Sequence, residues 1–197
     1  ADFLPPAQVA HFLAKANDPA LQWAPCIGSM GTHANEKRCS ILPAANDPVA
    51  LAFLAKLSLL WNVNTTHMNR GLPIVWSPPG TGATKPHVDT YVGDPPRVFD
   101  VSNVVYLTAV PANTSRNVFD RLGVAVQPSP GALLTWRNTD ALGRARGEAV
   151  HHVEPLPVDA TARIAMQIPI TLFAPTPITF AEGALVPTLG AAVADSP

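Results

Sequence analysis

The sequence contains little charge, little glycine and only two cysteines. Charged residues make up 14% of the 197 positions, and 14 acidic against 13 basic side chains leave a formal net charge of -1. The basic residues form no run that could follow a phosphate backbone, which argues against nucleic acid as a partner. The 12 glycines are scattered, which excludes a collagen-like chain because that architecture needs glycine at every third position.

Long hydrophobic runs are also missing. The longest strongly apolar stretch, Val49 to Trp61, contains Lys56 and is far shorter than the roughly 20 residues of a membrane span. We therefore expect a soluble protein with no membrane partner. With 47% apolar residues the chain has enough apolar surface to form a core, and its length favours one domain over residues 1–197. The oligomeric state is left open.

The two cysteines bear on the cellular compartment. Cys26 and Cys39 could form one disulfide or remain two buried thiols. Two tripeptides, Asn64-Thr65-Thr66 and Asn113-Thr114-Ser115, fit glycosylation acceptors. A secretory route and the cytoplasm are therefore both compatible with the sequence.

Proline, in contrast, is abundant. It occupies 22 positions of 197, or 22/197, about 11%, against a usual share of about 5%. This excess argues against long helices and for short strands joined by turns. Two helices are still predicted, one over Ala7 to Ala16 and one that begins after the N-cap Asp47 and runs to Trp61.

From residue 72 onward the pattern changes to short apolar or alternating runs, which are typical of strands. Strands after helices, without a regular alternation of the two, predict a mainly β fold with flanking helices, as in an antiparallel barrel or jelly roll. We expect helical support over about 5–62, a β-barrel core over about 72–173 and an extended tail over 174–197. The predicted strands are Leu72–Trp76, His87–Val92, Val98–Val110, Leu122–Gln127, Ala132–Arg137, Ala149–Val153 and Ala162–Phe173.

Histidine and aspartate form the main chemical pattern. His87 and Asp89 are two residues apart, so a strand would place them on one face. His151 and His152 are adjacent, so only one of them can face the same way. The spacing His151-x-Val153-x-Pro155, which places Val153 on the same face, favours His151, with His152 as the alternative. Two histidines and a carboxylate meet the facial-triad requirement of non-haem Fe(II).

An arginine follows the adjacent histidines His151 and His152 in the chain. Arg163 begins a strand made otherwise of Ile, Ala and Met, where burial needs a charged partner. A dicarboxylate cosubstrate would supply one, because guanidinium pairs bidentately with carboxylate. A structural salt bridge is the alternative.

The order of these motifs resembles the Fe(II)- and 2-oxoglutarate-dependent oxygenases, in particular the prolyl 4-hydroxylase-like branch. The resemblance covers about residues 72–173. Its motifs are Pro79-Gly80-Thr81-Gly82 ahead of His87-Val88-Asp89, Tyr106-Leu107, Pro130-Gly131-Ala132-Leu133-Leu134, and His151-x-Val153-x-Pro155 followed by Arg163-Ile164-Ala165-Met166.

The resemblance implies a double-stranded β-helix, or jelly-roll, barrel. It implies that iron is bound by His87, Asp89 and His151, that Arg163 holds the 5-carboxylate of 2-oxoglutarate, and that Tyr106 gives this carboxylate a hydroxyl hydrogen bond. Fe(II), 2-oxoglutarate and O2 are the expected cofactor and cosubstrates.

The expected reaction is hydroxylation of an unactivated C–H bond. A prolyl residue in a peptide or protein is the leading substrate, and a free amino acid or other small molecule is the alternative. Trp76 and Tyr91 are the candidates for substrate contact. A non-catalytic metal- or ligand-binding β-barrel is the alternative from another class, and a zinc hydrolase with the same ligands is a third.

Overall fold

The computed structural model describes residues 2–26, 37–63, 71–91 and 97–172. Within these ranges the chain forms two α-helices, α1 (Pro6–Ala16) and α2 (Pro48–Trp61), and both confirm the helices predicted from the sequence. No described helix has the length and apolar character needed to cross a membrane. The predicted tail over 174–197 lies outside the described residues.

A six-stranded antiparallel sheet forms the centre of the fold. The strands, in the order of the chain, are β1 (Ala24–Pro25), β2 (Arg38–Leu42), β3 (Leu72–Ser77), β6 (Val101–Tyr106), β9 (Leu133–Arg137) and β11 (Arg163–Ile170). Their order across the sheet is β1-β2-β3-β11-β6-β9. The first two were missed by the sequence analysis, because their short runs carry no alternating apolar pattern.

Alternation along β11 separates the two faces of this sheet. Ile164, Met166 and Ile168 pack into the main core together with Phe12 of α1 and Phe53 of α2. The alternate residues of β11 point to the other face, since successive strand residues face opposite sides. On that face Arg163, Ala165, Gln167 and Pro169 line a cavity.

Two smaller sheets complete the β structure. One has the order β10-β7-β8, with β7 (Asn117–Phe119), β8 (Val124–Val126) and β10 (His152–Val153); the other pairs β4 (Thr90–Tyr91) with β5 (Arg97–Val98). The mainly β fold with flanking helices is therefore confirmed. Within the described ranges, however, the three sheets are not hydrogen-bonded into a closed barrel, so the expected closure is not observed.

Proline explains why the predicted strands His87–Val92 and Ala149–Val153 are wrong in extent. The segments around them lie side by side, with hydrogen bonds from Leu156 N to Thr81 O (2.8 Å), from Thr84 N to Val153 O (2.9 Å) and in both directions between His87 and His151 (2.9 Å each). Pro78, Pro79, Pro86, Pro155 and Pro157 interrupt these segments. Proline has no N–H to donate, so the pairing remains a series of bridges.

The cysteines are joined. Cys26 and Cys39 form a disulfide, which settles the alternative that the sequence left open. Because Ala24 pairs with Cys39 and Pro25 with Arg38, the bridge reinforces the pairing of the edge strand β1 with β2. Of the two predicted glycosylation sites, Asn113 is exposed and Asn64 lies outside the described residues.

Asp47 is the predicted N-cap of α2, and the structure confirms it. One carboxylate oxygen accepts hydrogen bonds from Val49 N (2.9 Å) and Ala50 N (3.2 Å). The other lies 2.8 Å from His11 Nε2 and 3.1 Å from Lys15 Nζ of α1. Burial alone would raise the pKa of Asp47, but these four partners outweigh it and hold the pKa at about 2.

We expect Asp47→Ala to lower the free energy of unfolding by about 1–2 kcal/mol at pH 7, the usual cost of a lost N-cap. Asp47→Asn keeps the cap acceptor and removes the charge, so its difference from the wild type isolates the ion pairs. The pKa of Asp47 in the folded protein lies below the unfolded value of about 3.9. The stabilisation by the ionised carboxylate is therefore complete above about pH 4 and disappears as the pH falls through 2. Urea unfolding from pH 7 to pH 2 measures this; a pH-independent difference would contradict it.

Candidate metal centre and its cavity

Three side chains converge at the point where the paired segments meet. The ligand atoms of His87, Asp89 and His151 all lie within 4.8 Å of one another. Asp89 Oδ1 is 3.5 Å from His87 Nε2 and 3.8 Å from His151 Nε2. Because His87 and His151 are direct cross-strand partners, their rings stand side by side with centroids 4.5 Å apart.

In both histidine rings a backbone carbonyl determines which nitrogen carries a proton. His87 Nδ1 lies 2.8 Å from Lys85 O, and His151 Nδ1 lies 3.0 Å from Ala149 O. A carbonyl can only accept, so each Nδ1 carries its proton and donates. Each Nε2 then presents a lone pair toward Asp89 when the ring is neutral, which is the arrangement found in metal-binding histidines.

The electrostatics favour a carboxylate that stays ionised. Burial alone would raise the pKa of Asp89, but His151, His87 and a hydrogen bond from Ser102 outweigh it and bring this pKa well below its usual range. Burial lowers the pKa of His151. For His87 burial also acts downward, but Asp89 outweighs it and raises the pKa of His87.

His151 rather than His152 belongs to the cluster. His151 is 3% exposed, and its ring stacks on Phe119 (centroids 5.3 Å apart) and meets Trp136 edge-on (4.8 Å). The neighbouring His152 faces the other way, with Nδ1 3.3 Å from Asp120 Oδ2. The alternation of strand residues expected from the sequence is what separates the two.

Asp89 is held by a chain of three polar side chains. Ser102 Oγ donates to Asp89 Oδ2 at 2.5 Å, Asn138 Nδ2 donates to Ser102 Oγ at 2.8 Å, and Trp136 Nε1 donates to Asn138 Oδ1 at 2.9 Å. Asn138 is fully buried. The chain occupies Oδ2 and leaves Oδ1 directed at the two histidines, so Asp89 is oriented as a monodentate ligand.

Ser102→Ala should weaken the affinity for Co(II) by about 10- to 100-fold, the usual effect of removing a partner of a metal ligand. Ser102→Thr keeps a hydroxyl and should restore most of the affinity. Thr135→Val is the matched control, since Thr135 Oγ1 donates to Asn103 Oδ1 (2.8 Å) and to the backbone carbonyl of Ser102 (3.2 Å), and not to the Ser102 hydroxyl that holds Asp89. Titration followed by the visible spectrum of Co(II) provides the measurement, and equal affinity in Ser102→Ala and the wild type would contradict the orienting role.

Arg163 lies in the same cavity as the cluster. It is 4% exposed, and burial lowers its pKa. Its Nη2 donates to Asn117 Oδ1 at 3.0 Å, and its guanidinium lies 5.5 Å from the centre of the Tyr106 ring. Among the described residues its Nε has no hydrogen-bond partner, and no carboxylate pairs with it. The structural salt bridge left open by the sequence is therefore not observed within the described ranges.

Tyr106 supports Arg163 instead of lining the cavity. It is completely buried, and its hydroxyl donates to Asn117 Oδ1 at 3.0 Å. Asn117 thus accepts from both Tyr106 and Arg163 and fixes one against the other. The cavity itself has a volume of about 520 Å³, and its wall includes Lys37, Ser77, His87, Asp89, Asn117, Trp136, His151 and Arg163.

The two predicted substrate contacts are placed differently. Trp76 packs against the main core, on the face of β3 that turns toward the helices, because its cross-strand partner is Ile164. The structure therefore does not bring Trp76 to the cavity. Tyr91 lies in β4 opposite Arg97, and its side chain is outside the described residues.

Four residues of the cavity and its support were missed by sequence reasoning: Lys37, Ser102, Asn117 and Asn138. Ser102 lies in β6 and Asn117 in β7. A single polar residue in a strand is too common to indicate a functional site. The remaining histidines have structural or undescribed places: His11 bonds to Asp47, and His33 and His67 lie outside the described residues.

Comparisons with known proteins identify the fold. No protein-family model matches the chain, and no curated protein matches it by sequence. Among solved structures it is similar to a viral collagen prolyl hydroxylase of Paramecium bursaria Chlorella virus-1 in complex with 2-oxoglutarate, with 14% identity, a TM-score of 0.62, and 86% of this chain and 93% of that chain covered.

Two further solved structures agree. A prolyl-4-hydroxylase of Pseudomonas putida has 20% identity and a TM-score of 0.60, with 88% of this chain and 91% of that chain covered. A prolyl hydroxylase of Trichoplax adhaerens in complex with a hypoxia-inducible-factor peptide has 13% identity and a TM-score of 0.50, with 83% and 74% covered. The chain therefore has the fold of the prolyl hydroxylase-like 2-oxoglutarate oxygenases, as the resemblance of its motifs implied.

Proposed function

We propose that the protein is an Fe(II)- and 2-oxoglutarate-dependent oxygenase that hydroxylates an unactivated C–H bond. The observation that carries the proposal is the combination, in one cavity, of a His-Asp-His cluster and a buried arginine without a carboxylate partner among the described residues. The first fits a divalent metal, and the second fits the far carboxylate of a dicarboxylic acid.

The donor set fits Fe(II). Two imidazole nitrogens and one carboxylate oxygen occupy one side of a metal and leave three positions for small-molecule ligands. The backbone carbonyls of Lys85 and Ala149 orient the rings, and Ser102 orients the carboxylate. When bound, Fe(II) with 2-oxoglutarate supplies the activation of O2, and the balance is R–H, O2 and 2-oxoglutarate to R–OH, succinate and CO2.

The other residues would bind and shield the reactants. Arg163 would pair with the 5-carboxylate of 2-oxoglutarate through Nε and its remaining guanidinium protons. Tyr106 would act through Asn117, by holding Arg163 in place, and not by a bond of its own to the carboxylate. Phe119 and Trp136 cover the ring of His151 and would exclude water from that side of the metal, where electrostatic interactions are then stronger.

We further propose a prolyl residue in a peptide or protein as the substrate, with a free amino acid or other small molecule as the alternative. Support comes from the solved neighbours, two of which are prolyl hydroxylases with bound 2-oxoglutarate or a peptide fragment. The loop prolines around the cluster would limit the entropy lost when a substrate orders these segments.

Release of succinate from 2-oxoglutarate, coupled to substrate, tests the function. Prolyl peptides and free amino acids are screened with Fe(II), 2-oxoglutarate and O2, and at least one substrate should raise succinate formation several-fold. Activity that needs Zn(II) and ignores 2-oxoglutarate would favour a hydrolase. Metal binding with no succinate from any substrate would favour a non-catalytic binding module.

The compartment remains a proposal. The Cys26–Cys39 disulfide supports a secretory or otherwise oxidising location over the cytoplasm, since structural disulfides are rare in reducing compartments. Thiol alkylation and mass spectrometry of the protein from its native source would detect the bridge, and two alkylated cysteines would oppose this location.

A further inference from the structure

Lys37 is a second cation in the cavity beside Arg163. Binding of the metal and of 2-oxoglutarate gives it no role. Lys37 directly precedes β2, where Arg38 is opposite Trp76, so Lys37 is opposite Ser77. Ser77 is in turn opposite Arg163. Residues directly opposite one another share a face of a sheet, so Lys37, Ser77 and Arg163 form one row across three strands, and all three line the cavity.

The position of Lys37 is fixed by its surroundings. Cys26 N–H donates to Lys37 O at 3.4 Å, and the disulfide to Cys39 closes the segment from the other side. Neighbouring strands are about 4.8 Å apart, so the backbones of Lys37 and Arg163 are roughly 10 Å apart on either side of Ser77. A ligand between them can contact both cations.

Lys37 has no carboxylate partner within the described ranges. Burial and, to a smaller extent, the charge of Arg163 together lower the pKa of Lys37 to about 8, and no acidic group among the described residues acts in the opposite direction. Lys37 is thus still mainly protonated at pH 7. Lys37 and His87 line the same cavity.

The charges of the described lining residues leave Lys37 uncompensated even after the cosubstrate is bound. Among the described lining residues Lys37 and Arg163 are cationic and Asp89 is the carboxylate, so with neutral imidazoles the wall carries one net positive charge. A divalent metal and doubly charged 2-oxoglutarate cancel each other. One positive charge then remains among the described residues, and a half-buried charge without a partner is costly.

We propose that Lys37 binds a carboxylate of the primary substrate. This inference rests on the proposed oxygenase function and narrows its substrate class. The carboxylate is either that of a free amino acid or an acidic side chain beside the oxidised residue of a peptide. A peptide with only neutral groups in the cavity would leave Lys37 unpaired.

Matched acids and amides test the proposal on the anaerobic holoenzyme with Fe(II) and 2-oxoglutarate. One pair is L-proline and L-prolinamide; the other is an end-capped prolyl peptide with Glu next to proline and the same peptide with Gln. Binding is followed by the change in the visible band of the holoenzyme. In at least one pair the acid should bind about tenfold or more tightly than the amide, the usual effect of a charge-assisted hydrogen bond. The pair that shows this preference identifies the source of the carboxylate.

Lys37→Met should abolish this preference and Lys37→Arg should keep it, with metal and 2-oxoglutarate affinities unchanged in both. Lys56→Met is the matched control, because Lys56 lies on α2 away from the cavity and bonds to Phe3 O. The proposal is overturned if neither acid is preferred, if the preference survives in Lys37→Met, or if Lys37→Met weakens 2-oxoglutarate, which would assign Lys37 to the cosubstrate. A wild type without any visible band would instead refute the oxygenase function, and this inference with it.

Discussion

Replacing Asp89 or His87 with alanine should weaken the affinity for Co(II) or Mn(II) by at least about 100-fold. Removing a partner of a ligand typically costs 10- to 100-fold, and removing a ligand itself should cost more. Asp89 is the most sensitive position, because its Oδ1 is the atom that both histidines approach. Titration by calorimetry or by the Co(II) spectrum measures the effect.

His152→Ala is the matched control for these variants. His152 is adjacent to His151 in the chain but faces Asp120, so its loss should leave the metal affinity within about twofold of the wild type, a difference of less than 1 kcal/mol. His151→Ala should behave like His87→Ala. A variant of His152 that loses the metal, with His151→Ala retaining it, would reverse the assignment of the two residues.

Replacing Arg163 with methionine should weaken 2-oxoglutarate binding by about 100-fold or more, because two charge-assisted hydrogen bonds of about 1.5–3 kcal/mol each are removed. Metal affinity should not change. Arg116→Met is a matched control: Arg116 lies next to Asn117 but forms a bidentate pair with Glu154 (2.7 and 2.6 Å), so its loss should leave 2-oxoglutarate binding unchanged.

The same substitution should not destabilise the ligand-free protein. Arg163 is buried without a carboxylate partner among the described residues. An unpaired buried charge is costly, so replacing it with an apolar side chain of similar size should be neutral or stabilising. Asn117 keeps its hydrogen bond from Tyr106, so no new unpaired acceptor is created. Thermal unfolding with and without 2-oxoglutarate should give Arg163→Met a Tm at least equal to the wild type and no ligand-induced rise. A large loss of stability would indicate a structural role for Arg163.

The sequence predicted the residues of the cluster because ligand spacing is a local property. His87 and Asp89 are two positions apart. Strand alternation allowed only one of His151 and His152 to be a ligand, and the spacing His151-x-Val153-x-Pro155 favoured His151. The helix that begins at Asp47 was predicted for a similar reason, since an N-cap and the proline after it are neighbours in the chain.

Properties that depend on the register between distant strands were not predictable. Trp76 was expected at the substrate, but its pairing with Ile164 turns it toward the helices. Tyr106 was expected on the cosubstrate, but Asn117, from a strand the sequence did not reveal, takes its hydroxyl. Lys37 reaches the cavity only because β2 pairs with β3, and nothing local to residues 37–42 indicates that pairing.

The central claim is that His87, Asp89, His151 and Arg163 together bind Fe(II) and 2-oxoglutarate. Anaerobic addition of Fe(II) and then 2-oxoglutarate, followed in the visible spectrum, tests it most directly. The account predicts a weak charge-transfer band in the wild type that is absent in Asp89→Ala and His87→Ala. A wild type without the band, or an equal band in Asp89→Ala, would contradict the account.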